Sequence, residues 1–241
     1  MICPDLRPHF AHLHWRPMAH AYGVEVASDW ADKAEDDQVF GLYKKCGFWT
    51  RDEAAILYHA ASQVGGDWVD IGSHTGWTTA HILEGLYRRG HVVAVDTMYS
   101  NQEFGGRAIA NLVSYHPSLV ELTHYGISLV CETSARFFAS VAQNSPEASF
   151  SGVVIDGDHD DPTPTTDVAQ AVCRLKREAG VIIFHDARGG PVKKAVRWLL
   201  NYFPEFKHQV YQTPHGVVVC WRGEFDPPEY EQLPGVPEYE I

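Results

Sequence analysis

The residues best placed to do chemistry are Asp156, Gly157, Asp158 and His159, an Asp-Gly-Asp-His run, and His185-Asp186 about thirty residues later. Each group directly follows a short apolar stretch, Val153–Ile155 and Val181–Phe184, that reads as a buried strand. In a doubly wound sheet the carboxyl ends of the strands lie over the ligand crevice, so these acids share one rim. Asp156 and Asp186 can therefore converge on one hard cation. Oxygen ligands suit Mg²⁺, which keeps several waters and leaves room for a substrate oxygen. The bland alternative is a solvated acidic turn. A metallophosphoesterase would need further Asp-x-His and Asn-His blocks, and a serine hydrolase a G-x-S-x-G elbow; neither is present.

A second constellation lies earlier. Asp67–Thr78 reads as a strand (Val69, Asp70, Ile71), a tight turn from Gly72 to Gly76, and a helix from Trp77. Gly72 admits a ligand close to the backbone, Gly76 lets the helix pack tightly, and the turn's N–H groups face outward. The next strand, His91–Val95, ends in Asp96, which βαβ spacing sets beside the turn. There a carboxylate can accept both hydroxyls of a ribose. The turn lacks the third glycine of the dinucleotide fingerprint, which weakens a nicotinamide oxidoreductase reading without removing it.

The elements that must hold these groups alternate. A helix is expected over Arg51–Val64, with Thr50 and Glu53 as a capping box and Gly65-Gly66 as its stop. Further helices are expected over Asn101–Tyr115, Ser134–Val141 and Val192–Phe203, and a third strand over Ile127–Cys131. Lys207–Tyr211 and Val217–Trp221 flank a reversal at Thr213–Gly216 and read as a hairpin. The sum is a Rossmann-like three-layer α/β sandwich, a seven-stranded mostly parallel sheet with an antiparallel C-terminal hairpin strand.

Composition sets outer limits. The chain has 241 residues, 45% hydrophobic and 21% charged, which fits one large globular domain. A net charge of -12 argues against nucleic acid or an anionic membrane as partner. The five cysteines are scattered, with no CxxC pair, as in a reduced, cytoplasmic protein. No apolar run reaches transmembrane length. His9, His12 and His14 lack an acid or Cys at ligand spacing and are not read as a metal site.

The glycine turn with Asp70 and Asp96 resembles motif I and the acidic loop of class I S-adenosylmethionine (SAM) methyltransferases. The IDGDH and IIFHDA stretches are similar to the methyltransferase-24 group of metal-dependent sugar and small-molecule O-methyltransferases, and more distantly to the catechol O-methyltransferase type. The resemblance spans roughly residues 50–222. It implies a SAM-dependent methyltransferase domain there, with residues 1–49 an extension that acts as a lid or a dimer contact and residues 223–241 an acidic, proline-rich arm. It implies SAM contacts from Asp70, Gly72, Ser73, His74, Gly76, Thr78, Asp96 and Thr97, and adenine contacts from Glu132 and Thr133. It implies Mg²⁺ or Mn²⁺ ligands at Asp156, His185 and Asp186, a base at His159 or Asp158, and a small-molecule hydroxyl as acceptor. A SAM-fold protein that binds without methylating is the further alternative.

Overall fold

The structure is a computed structural model that describes residue 49, residues 51–74, 76–86, 89–100, 108, 126–230 and 235–241. The N-terminal extension apart from Trp49, Thr50 of the expected capping box, and nearly all of the helix expected over Asn101–Tyr115 lie outside the described residues.

Seven strands form one sheet. In chain order they are β1 (Trp68–Ile71), β2 (Val92–Val95), β3 (Ile127–Val130), β4 (Gly152–Ile155), β5 (Ala179–Phe184), β6 (Lys207–Tyr211) and β7 (Val217–Gly223). The spatial order is β3-β2-β1-β4-β5-β7-β6, with β7 antiparallel to both of its neighbours and the other pairs parallel. β1 and β4 are buried at every position, as expected of strands covered on both faces.

Alternation within the strands divides the core in two. Val69, Ile71, Val153, Ile155, Ile182 and Phe184 point to one face, whereas Trp68, Val154, Val181 and Ile183 point to the other. The second face is covered by α1 (Arg51–Val64) and α2 (Trp77–Leu86). α2 is buried along its whole length. The helices α1 and α2 pack closely because Gly85 has no side chain: a Cβ there would stand 2.4 Å from the Tyr58 carbonyl oxygen. The first face is covered by α3 (Ser134–Asn144), α4 (Thr163–Arg174) and α5 (Gly190–Tyr202). On α5, Val192, Ala195, Val196 and Leu199 fall at helical spacing and are all buried. α4 has no counterpart in the sequence reading. Pro162 and Pro164 bracket its start and mask its periodicity, although a proline in the first helical turn costs no hydrogen bond.

Strand order reverses between β1 and β4, which opens a crevice at their carboxyl ends. Backbone bonds continue the ladder one residue beyond the strands. The N–H of Gly72 donates to Val95, that of Asp96 to Val130, that of Asp156 to Ile71 and that of His185 to Ile155, at 2.9–3.2 Å. Four candidate site residues are thereby fixed on one rim by main chain alone. Among the described residues no helix is long and apolar enough to cross a membrane. The acidic C-terminal segment lies against the sheet end: Tyr239 takes the Arg188 guanidinium over its ring and donates its hydroxyl to Val217.

Candidate active site

The crevice holds a cavity of about 660 Å³ running from the turn between β1 and α2 to the ends of β4 and β5. At the first end Gly72 and Gly76 adopt φ of 82° and 83°, the left-handed region where only glycine is unstrained. A Cβ on Gly72 would lie 2.0 Å from the Asp156 carbonyl oxygen, so the turn and the acidic rim pass each other with no room for a side chain. Asp96 braces the turn: Oδ2 accepts the His74 N–H at 2.8 Å and Oδ1 the Met98 N–H at 2.7 Å. Each oxygen keeps a second acceptor position, and the residue lines the cavity beside Ser73, His74 and Thr97. Glu132 and Thr133 line its far wall. Thr133 also N-caps α3, and Glu132 pairs with Arg136 at 3.1 Å.

Asp70 does not reach the cavity, a correction to its expected cofactor contact. It points to the face opposite Ile71, beneath α2, where Thr78 and Thr79 donate to Oδ2 at 2.6 and 2.5 Å. Burial pushes its carboxyl up to about 7, against those two bonds and with help from the charges of Asp156 and Asp96. It anchors the start of α2, and Thr78, though it borders the cavity, spends its hydroxyl on the same bond.

The second end is built from side chains. Asp156, His185 and Asp186 bring one ligand atom each within 4.8 Å of one another. His185 Nδ1 stands 3.1 Å from Asp156 Oδ1 and 3.2 Å from Asp186 Oδ2. Asp186 reaches this position from a left-handed backbone, φ 56°, which an aspartate tolerates. His159 is exposed and turns Nε2 toward Asp186 Oδ2 at 3.5 Å and Asp156 Oδ1 at 3.8 Å. Asp158 is otherwise engaged. It accepts from the Asp160 N–H and the Thr163 hydroxyl, both at 3.1 Å, and so ties the acidic loop to α4.

Three further residues belong to this end. Trp49 donates its indole N–H to Asp156 Oδ2 at 2.6 Å and stacks on the His185 ring, with centroids 4.3 Å apart. Glu53, fully buried, accepts from His185 Nε2 at 3.3 Å and from His215. Thr50, its expected capping-box partner, lies outside the described residues. Burial alone would push the His185 imidazolium down, but the Asp156 charge and bonds to Asp156, Asp186 and Glu53 carry it well above its ordinary value. Burial would likewise raise Glu53, yet hydrogen bonds from His185 and His215 hold it well below the usual carboxylate range.

Residues 69–187 match the family model described as a methyltransferase domain. That stretch is a methyltransferase domain of the class I SAM-dependent type. The fold is shared with solved structures of low identity. An O-methyltransferase from Bacillus cereus in complex with SAH is 13% identical, with 81% of this chain and 97% of that one covered and a TM-score of 0.62. A Streptomyces achromogenes O-methyltransferase involved in tomaymycin synthesis, in complex with SAM, is 12% identical over 87% and 96%, at 0.60. A methyltransferase from Geobacter sulfurreducens is 14% identical over 89% and 100%, at 0.57. No curated protein matches the sequence.

One cavity is thus lined by Gly72, Ser73, His74, Thr78, Asp96, Thr97, Glu132, Thr133, Asp156, Asp158, His159 and Asp186, with His185 directly behind it. Sequence reasoning missed Trp49, Glu53 and His215. Only Glu53 carried a signal, an acid at the start of a helix, and that signal had a sufficient local explanation.

Proposed function

We propose that this methyltransferase transfers the methyl group of SAM to an oxygen of a small-molecule acceptor, assisted by a divalent cation. The observation that carries the reading is the continuity of the cavity: a cradle at Gly72 and Asp96 opens onto the carboxylates of Asp156 and Asp186 and the His159 imidazole, with His185 behind them. Asp156, His185 and Asp186 fit a divalent ion in charge and separation. An imidazole in the set suits Mn²⁺ better than Mg²⁺, which prefers oxygen donors alone.

In this reading Asp96 would hold the ribose hydroxyls, and the backbone of Gly72, Ser73 and His74 would seat the cofactor's charged end. Thr133 and Glu132 border the base. Such an ion, when bound, lowers the pKa of an acceptor hydroxyl and fixes its oxygen. His159, an exposed imidazole beside that position, would take the hydroxyl proton as the oxygen displaced the methyl carbon in line from the SAM sulfonium, with SAH as the leaving group. Asp158 is the weaker base because both of its oxygens serve the loop. Trp49 walls the acceptor side and holds the outer oxygen of Asp156 in place.

A thermal-shift panel tests the reading. SAM and SAH should raise Tm, further with Mn²⁺ than with EDTA, while NAD and NADP leave it unchanged. A response to NAD without one to SAM would instead support a nucleotide-dependent oxidoreductase.

A further inference from the structure

Glu53 presents a puzzle of burial. A carboxylate removed from water costs several kcal/mol unless it is paired, and Glu53 is fully buried behind the site, away from the cavity wall. Its pairing is directional. Oε1 accepts the backbone N–H of His215 at 3.1 Å, while Oε2 faces His215 Nδ1 at 3.1 Å and His185 Nε2 at 3.3 Å. The His185 ring is thus fixed on three sides. Trp49 stacks on its face at 14° between planes, Glu53 takes the Nε2 edge, and the Nδ1 edge is left toward Asp156 and Asp186.

We infer that Glu53 is a positioning residue for cation binding: by accepting the His185 Nε2–H it aims Nδ1, whose proton an arriving cation displaces to solvent, between Asp156 and Asp186, and His215 anchors Glu53 from behind. The inference rests on the divalent-cation reading above. An imidazole has two nitrogens, and the one that keeps its hydrogen decides which one can bind a metal. A carboxylate on the far nitrogen settles that choice and makes the near one a better donor, an effect usually worth 10–100-fold in affinity. A purely structural Glu53 would stabilise the fold through the same bonds without affecting what Nδ1 binds. Glu53, His185 and His215 also form a set that could hold an ion themselves, so the test must separate the two arrangements.

The experiment is a Mn²⁺ titration of the full chain followed by electron paramagnetic resonance, with echo modulation reading directly bound nitrogen. The parent should bind Mn²⁺ with a nitrogen coupling. Glu53→Gln, which keeps the shape but loses the charge, should bind about 10–100-fold more weakly with that coupling diminished. His215→Ala should retain the coupling and lose less than tenfold. Glu53→Asp, which only withdraws the carboxylate, should show a smaller loss in the same direction and serves if the Gln variant does not fold. Unchanged Mn²⁺ affinity in folded Glu53→Gln or Glu53→Asp overturns the inference and leaves the cation reading intact. Loss of all Mn²⁺ binding in His215→Ala overturns it by locating the ion at Glu53, His185 and His215. A parent that binds no Mn²⁺ removes the cation reading, and this inference with it.

Discussion

The β1–β2 end of the cavity is built from backbone: two left-handed glycines, a ladder continued past the strand ends, and one carboxylate that braces the turn it faces. The β4–β5 end is built from side chains, brought together from residues 49, 53, 156, 159, 185, 186 and 215. The first kind of site is local in sequence and rigid by construction. The second depends on three loops and the head of a helix holding position together. One end should therefore fail chiefly on added volume, with Asp96 its one sensitive side chain, while the other should fail on loss of side chains.

The largest expected effect lies at the side-chain end. Asp156→Ala and Asp186→Ala should each abolish Mn²⁺ binding in a calorimetric titration while leaving SAM affinity within a few-fold. Loss of both ligands together would mean that the two ends do not act separately.

Next comes Gly72→Ala. A Cβ there meets the Asp156 carbonyl and forces a non-glycine residue to φ 82°, which should cost about 3 kcal/mol or more in urea unfolding. A neutral result would show that the two rims can move apart.

Asp96→Ala should weaken SAM binding by about 2–4 kcal/mol, because charge-assisted bonds to the ribose are lost. It should also cost about 1 kcal/mol of fold stability, since the N–H groups of His74 and Met98 lose their acceptor. Calorimetry with unchanged SAM affinity would leave Asp96 as a turn brace alone.

The smallest effect is a slope rather than a level. Burial holds Asp70 at about 7 in the folded chain, above its ordinary carboxyl value of 3.8. Between those values the folded state keeps a proton that the unfolded state has lost, so stability should fall as pH rises through this window. Asp70→Asn cannot titrate and should flatten that decline in urea unfolding at pH 4, 5.5 and 7. An equal slope in both proteins would mean that Asp70 is ionised in the fold.

The same contrast explains what could be read from sequence. The glycine turn and the strands ending in Asp96, Asp156 and His185 were legible because each is a short local pattern, and parallel register then set them on one rim. α4 was not, because its prolines hide an ordinary amphipathic helix. The resemblance implies a cavity contact for Asp70 because a matching motif sets an acid in a strand without showing which face its side chain takes. Trp49, Glu53 and His215 are more than 100 residues from one or another of their partners, and nothing local marks them.

The most direct measurement is an anomalous diffraction map, at the manganese edge, from crystals grown with SAH and Mn²⁺. The account predicts one strong peak bounded by Asp156, Asp186 and the Nδ1 of His185, with the adenosine ribose on Asp96 in the same cavity. SAH bound with no manganese peak, or a peak away from those three residues, would contradict it.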